Sequence, residues 1–127
     1  MVYSASAQGV TQVNTLEESL LSVMQGYVVR DHAKVREFLR RYPFLVPTLA
    51  DARRHIAEYF PDSQLSLWVM LDPERDSDDD ADELVLSIET TLDVPQAAER
   101  RERLADDWWL DALPETQSKL SVDVEFV

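Results

Sequence analysis

The first sixty positions of the chain show the apolar spacing of amphipathic helices. Thr15 and Glu18 have the spacing of a capping box at a helix start, and Gly26 is a natural helix end. Asp31 is expected to cap a second helix, and residues 43–61 predict a third that ends at Pro61. The apolar stripes of the first two helices are Leu16, Leu20, Val23 and Met24, then Val35, Phe38 and Leu39.

After Pro61 the apolar period changes to two, which is the period of a β-strand. The segments 64–71, 83–90 and 119–127 each place apolar residues on one face and mostly polar residues on the other. Such alternation predicts a sheet with one covered face and one wet face. Between the last two strands, Asp93 is expected to cap a helix that runs from about Pro95 to Ala112.

This order of elements predicts an α+β fold with three N-terminal helices followed by β-β-α-β. The first two of these strands form a hairpin, and the helical crossover is expected to place the third strand beside the first. The prediction is a three-stranded antiparallel sheet of order 2-1-3 with helices on one face. Residues 1–13 are expected to be a flexible N-terminal arm, and residues 14–127 a single domain.

Composition excludes several classes of chemistry. The 127 residues include no Cys, so disulfides, zinc-thiolate sites and thiol nucleophiles are excluded, and only two Gly, which argues against glycine-rich phosphate loops. No apolar run is long enough for a transmembrane helix, and the opening "MVYSASAQGV" lacks the pattern of a secretory signal. We therefore expect a cytoplasmic protein.

The net charge of −13 is concentrated in the second part of the chain. Residues 1–71 hold seven acidic and seven basic residues, whereas residues 72–127 hold 18 acidic and five basic residues. A field of this sign repels nucleic acids and anionic membranes. It favours a basic partner, cations or simple solubility, so we expect neither a nucleic-acid nor a membrane partner.

The acidic segment "DPERDSDDDADE" (72–83) has a partial match to a calcium loop. Ser77 stands where the loop requires glycine, position three is the longer Glu, and the flanking segments are predicted strands instead of helices. A solvated hairpin loop is the better interpretation, with weak cation binding left open. The acids at loop positions one, three, five, nine and twelve are Asp72, Glu74, Asp76, Asp80 and Glu83.

No residue pattern predicts catalysis. His32 and His55 are the only imidazoles, they lack metal-ligand spacing, and His55 is expected on the polar side of its helix. Nucleophile-elbow, phosphate-loop and dinucleotide motifs are absent from the sequence. We therefore expect no enzyme, with no catalytic, cofactor-binding or metal-binding residues and no cofactor.

Two adjacent tryptophans in "DDWWLDALP" (106–114) form the most distinctive motif. Both rings fit the core at the end of the last helix, or one ring lies at the surface as an interface anchor. Trp68 strengthens the second interpretation, because it lies on the strand face opposite the leucines and forms an apolar patch if that face is uncovered. The candidate partner-binding residues are Trp68, Met70, Val85 and Trp109.

The chain resembles a family of small uncharacterised bacterial proteins found in cyanobacteria and related photosynthetic or filamentous lineages. The resemblance covers about Val35 to Phe126 and is carried by "VREFLRRYPFLVPTLADARRHIAEYFP", "LSLWVMLDPE", "DDWWLDAL" (a DxWWLD motif) and "LSVDVEF". It implies a bacterial, cytoplasmic protein. It supplies no activity, cofactor or catalytic residue that could be assigned to this chain.

These observations predict a non-catalytic, acidic protein–protein interaction module. It would act as an antitoxin-like protein or adaptor for a basic partner, or associate with itself as a homodimer. One alternative is an acidic mimic of nucleic acid. Another is a weak calcium-binding or hydrolytic protein that uses residues 72–83. No small-molecule substrate is evident.

Overall fold

A computed structural model describes residues 15–71 and 82–127. Within these ranges the chain forms four helices and a four-stranded sheet. The helices are α1 (15–25), α2 (His32–Arg41), α3 (Leu45–Tyr59) and α4 (Val94–Leu104). The strands are β1 (Val28–Val29), β2 (Gln64–Met70), β3 (Glu83–Thr90) and β4 (Leu120–Phe126). The predicted N-terminal arm lies outside the described residues.

The four helices form where the sequence pattern predicted them. The Asp31 side chain accepts a hydrogen bond of 3.4 Å from the Lys34 backbone N–H, and Asp93 accepts one of 2.9 Å from the Gln96 N–H. Both side chains thus satisfy a donor of the first helical turn that would otherwise lack a partner. Pro95 is tolerated in the first turn of α4 because its missing N–H has no intrahelical acceptor there.

The helix that begins at Val94 does not continue to Ala112 in one α-helical form. After α4 it widens into a π-helical turn at Ala105–Trp109, returns to an α-helical turn at Leu110–Ala112 and ends in a 3₁₀ turn at Leu113–Thr116. The predicted helix therefore exists over most of its length, but its geometry changes at the two tryptophans.

The predicted three-stranded antiparallel sheet of order 2-1-3 is wrong. The sheet is mixed, with order β1-β2-β3-β4: β1 is parallel to β2, β2 antiparallel to β3, and β3 parallel to β4. The reason is that β1 occupies the side of β2 at which the last strand was predicted to pair. The Arg30 N–H, just after β1, donates a further hydrogen bond to the Leu67 carbonyl of β2 at 2.9 Å. β4 instead joins the other side of β3 through the α4 crossover.

The apolar face of the sheet lies in one core with residues of all four helices. Burial of alternate strand residues against amphipathic helices is the main stabilising contribution that this pattern offers. The helices contribute, among others, Leu20, Val35, Leu49, Ile56, Ala97 and Leu104. The sheet contributes Leu67, Leu84, Leu86, Ile88, Leu120 and Val122.

Two neighbouring leucines of α1 test how this helix packs. Leu20 is fully buried, whereas Leu21 is 39% exposed. Leu20→Ala should lower the free energy of unfolding by about 2–5 kcal/mol, because it leaves a cavity in the core. Leu21→Ala should lower it by less than about 1 kcal/mol. Urea denaturation measures both, and similar losses for the two variants would show that α1 packs through another face.

Tyr27 predicts a loss of stability at alkaline pH. Its ring is buried, its hydroxyl donates to the Leu49 carbonyl oxygen, and burial raises the pKa of the phenol. Because the pKa is higher in the folded state, this stabilisation is complete below the unfolded pKa of about 10 and is lost as the pH rises further. Tyr27→Phe should flatten the decline of unfolding free energy above about pH 10. Urea denaturation at a series of pH values measures it, and equal declines in the variant and the wild type would contradict this role.

Candidate functional site

The tryptophan pair lies in the π-helical turn that follows α4. The Leu110 N–H donates to the Ala105 carbonyl, so this turn holds one residue more than an α-helical turn. Turns of this kind occur frequently at functional sites, because the extra residue redirects side chains without ending the helix. Here the turn places Trp108 and Trp109 side by side against the core.

Both tryptophan rings are half-buried, so neither is a fully enclosed core residue. Trp108 stacks on His55 of α3, with ring centroids 5.1 Å apart and planes inclined by 10°. The Trp108 and Trp109 centroids are 5.6 Å apart, with planes inclined by 42°. His55 is thus half-buried against a tryptophan, and the expectation that it lies on the polar side of α3 is wrong because Trp108 covers that position.

Trp109 lines an apolar groove between α4 and β4, which we call the Trp109 groove. Its volume is about 390 Å³. Small residues of α4 and the π turn leave this space open beside the larger rings. Its lining residues are Ala98, Arg101, Glu102, Leu104, Ala105, Trp109, Leu110 and Val122.

One acidic side chain lines the Trp109 groove, and three more lie on the helical segment that forms one of its walls. Glu102 lines it, and Asp106, Asp107 and Asp111 are exposed on the same helical segment. None of these four forms an ion pair within the part of the chain that the structure describes. The groove therefore combines an apolar floor with the Glu102 carboxylate and the Arg101 guanidinium, and the three aspartates add negative charge to the same helical segment.

The other three candidate residues lie on the opposite face of the sheet. Trp68 and Val85 are cross-strand neighbours, and Met70 faces Glu83. The Trp68 indole N–H donates to the Ser87 hydroxyl at 2.9 Å. Val85 is only 3% exposed, whereas Met70 is 41% exposed. The structure brings Trp68 and Val85 together but leaves Trp109 on the helical side, and partner binding by these residues stays a prediction.

Polar contacts occupy much of that opposite face. Glu89 accepts hydrogen bonds from the Gln64 side-chain amide at 3.1 Å and from the Ser66 hydroxyl at 2.7 Å. Arg30, which follows β1, pairs with Glu125 of β4 at 2.7 Å, so this ion pair joins the two edges of the sheet. Side chains of the same molecule thus satisfy many of the polar groups on this face.

The described residues hold no cluster of three or more His, Asp or Glu side chains placed to bind a metal ion. The calcium-loop hypothesis falls mostly on residues 72–81, which lie outside the described ranges. Over residues 15–71 and 82–127, each buried side-chain nitrogen or oxygen has a hydrogen-bond partner. In the same ranges, no helix has both the length and the apolar character to cross a bilayer.

Two features were not predicted from the sequence: the Trp109 groove, and the outer side of β4, on which no strand pairs among residues 15–71 and 82–127. The groove depends on the π turn, for which the sequence carries no periodic signal, since Leu104, Trp108 and Ala112 fit an ordinary helix. The edge depends on the strand order. The sequence signal for β1, which sets this order, was the pair Val28-Val29, two β-branched residues between Tyr27 and Arg30.

Comparisons of this chain with protein-family models, with curated proteins and with solved structures found no match.

Deleting one residue tests the π turn against regular helix. Deletion of Asp107 should convert the turn to α-helical bonding while Trp108 and Trp109 stay in place, so the free energy of unfolding should fall by less than about 2 kcal/mol. Deletion of Glu99 from α4 should rotate the flanking helical segments by about 100° relative to each other and expose Leu104 or Ala97. The free energy of unfolding should then fall by more than about 3 kcal/mol. Thermal denaturation of both variants gives the comparison. A larger loss for the Asp107 deletion would contradict the π turn.

Proposed function

We propose that this protein is a non-catalytic binding module whose acidic C-terminal part binds a basic protein partner at the Trp109 groove. The observation that carries the proposal is the apolar groove beside β4, which Glu102 lines and whose helical wall also carries Asp106, Asp107 and Asp111. In this account the protein is an adaptor or an antitoxin-like protein of the bacterial cytoplasm. Its membership of the DxWWLD family belongs to the same proposal.

The groove has the features of an interface anchor. Trp109 is half-buried against the core, so part of it stays accessible to a partner, and Leu110 beside it is 54% exposed. Interface hot spots are enriched in tryptophan and lie in apolar centres from which a partner excludes water. A side chain of the partner that fills the groove would bury this surface.

Charge favours a basic partner over an acidic or neutral one. Residues 82–127 carry 12 acidic and four basic residues. Two of the arginines already pair with acids of the same molecule, Arg101 with Asp123 at 3.1 Å and Arg103 with Glu99 at 2.8 Å. The remaining negative charge would accelerate association with a basic surface and reject acidic ones.

The same charge disfavours the alternatives. A homodimer through the Trp109 groove would bring the acidic helical segments of two copies close, each with Glu102 in the groove, and this costs free energy by like-charge repulsion. Trp68 and Met70 offer a smaller contact on the opposite face, since Val85 is buried and the Trp68 indole N–H already has a partner. The nucleic-acid mimic requires carboxylates spaced along one rigid face, whereas many acids of this chain fall in residues 72–83 instead. The calcium-binding or hydrolytic protein depends on residues 72–83, most of which the structure does not describe.

Two exposed leucines give a matched test. Leu110 lines the groove, whereas Leu113, 39% exposed, lies just beyond it in the 3₁₀ turn. The partner is identified by affinity capture and mass spectrometry from the native host, then purified, and its affinity is measured by calorimetry. Leu110→Glu should weaken binding about tenfold or more, because it places a charge in the apolar centre, whereas Leu113→Glu should change it by less than about threefold.

Three results would contradict the proposal. One is a captured partner that is acidic. Another is equal binding by the Leu110→Glu variant and the wild type. The third is light scattering that shows a dimer of this chain, with no other protein bound.

A further inference from the structure

The outer edge of β4 is the second notable surface of the acidic part. β4 is the last strand of the sheet, and within the described ranges no strand pairs with its outer side. An edge strand of seven residues presents backbone donors and acceptors to any extended chain that approaches. At the opposite end of the sheet, the edge strand β1 has two residues only.

The hydrogen-bond register shows which backbone groups face outward. The Leu84 N–H donates to the Lys119 carbonyl at 2.8 Å, and the Val127 N–H donates to the Thr90 carbonyl at 3.1 Å. In the parallel register of β3 and β4, odd-numbered residues of β4 therefore bond to β3. The N–H and C=O groups of the even-numbered residues point away from the sheet: Leu120, Val122, Val124 and Phe126.

One ion pair lies across the middle of this edge. Arg101 belongs to α4 on the apolar side of the sheet, whereas Asp123 points to the polar side, because it alternates with Val122 and Val124. Arg101 Nη2 is 3.1 Å from Asp123 Oδ1. The Arg101 side chain must therefore pass around the outer edge of β4. Charged side chains at such positions hinder edge-to-edge pairing.

We propose that the outer edge of β4 receives an extended segment of the basic partner as an added strand. A Lys or Arg of that segment takes the place of Arg101 on Asp123, and an apolar side chain on the other face enters the Trp109 groove. The inference rests on the proposed function, since the same partner fills the groove. It adds the mode of binding, which is pairing of main chains.

The alternation along β4 defines the segment that fits. Val122 and Val124 lie on the apolar side, and Asp123 and Glu125 on the polar side. An added strand that alternates apolar and basic residues matches both faces. Glu125 is already paired with Arg30 at 2.7 Å, so Asp123 is the carboxylate that an added strand can take over from Arg101. A second copy of β4 does not match, since it would bring its own Asp123 near this carboxylate and supply no lysine or arginine in place of Arg101. Charge complementarity thus selects a basic segment over self-association.

Short synthetic peptides test the mode of binding on the full-length protein. The probe alternates lysine and valine, one control replaces each lysine by glutamate, and a second carries N-methyl groups on the backbone amides that would face β4. The probe should shift the amide resonances of β4 and slow the hydrogen exchange of Val122 and Val124, and both controls should fail to do so. Absence of any effect of the probe on β4 would overturn the inference.

The N-methylated control separates this inference from the proposed function. If it binds as tightly as the probe, main-chain pairing is not used and strand addition is overturned, while a groove for basic segments still stands. If the N-methylated control fails and Leu110→Glu binds the unmodified probe as the wild type does, the edge acts without the groove. That result overturns the proposed function and the part of the inference in which a side chain fills the groove. Strand addition at the outer edge of β4 would still stand.

Two arginines of α4 provide a matched pair of variants. Arg101 and Arg103 are both exposed and both pair with an acid, but only Arg101 spans the strand edge. Arg101→Ala should bind the lysine–valine probe about two- to fivefold more tightly, because it removes an ion pair that must otherwise be broken on binding. Arg103→Ala, with the same change of net charge, should alter it less than about twofold. Equal effects would contradict a role for Arg101 at the edge.

Self-association is the remaining outcome of this experiment. Sedimentation of Arg101→Ala without peptide should show a monomer. A dimer with protected Val122 and Val124 amides would identify a second copy as the occupant of the edge and overturn the basic partner.

Discussion

The apolar face of the sheet must be covered, and the rest of the structure follows from how the chain covers it. Leu67, Leu86 and Ile88 are fully buried against the helices. Each of the two parallel pairs, β1 with β2 and β3 with β4, is joined by a helical crossover that returns over this face. Covering the face in this way leaves β2 and β3 in the centre and places β1 and β4 at the two edges.

That placement also forms the surface at which we propose that a basic partner binds. α4 packs on the core through Ala97 and Leu104, and the π turn then sets Trp109 and Leu110 beside β4. The groove is therefore held by the same contacts that cover the sheet. Glu102 lines the groove, and Asp123 and Glu125 lie on the neighbouring strand β4. Apolar surface and negative charge thus lie close together, a combination suited to the basic segment that we propose.

Local periodicity was sufficient to predict the helices and the three longer strands, since each runs for seven residues or more with a clear period. It could not predict Val28–Val29, because two residues contain no period, and the error in strand order followed from that omission. Trp109 was predicted as a candidate contact from its residue type and neighbours. The Arg101–Asp123 pair and the outward groups of β4 depend on which strands are neighbours, and this is a property of the whole fold.

Amide hydrogen exchange along β4 in the free protein tests the account most directly. The strand order and register predict slow exchange for Ser121, Asp123 and Glu125, whose N–H groups face β3, and fast exchange for Val122 and Val124, whose N–H groups face outward. Equal protection of all five amides, or protection of the two valines alone, would show that β4 is not an open edge beside β3.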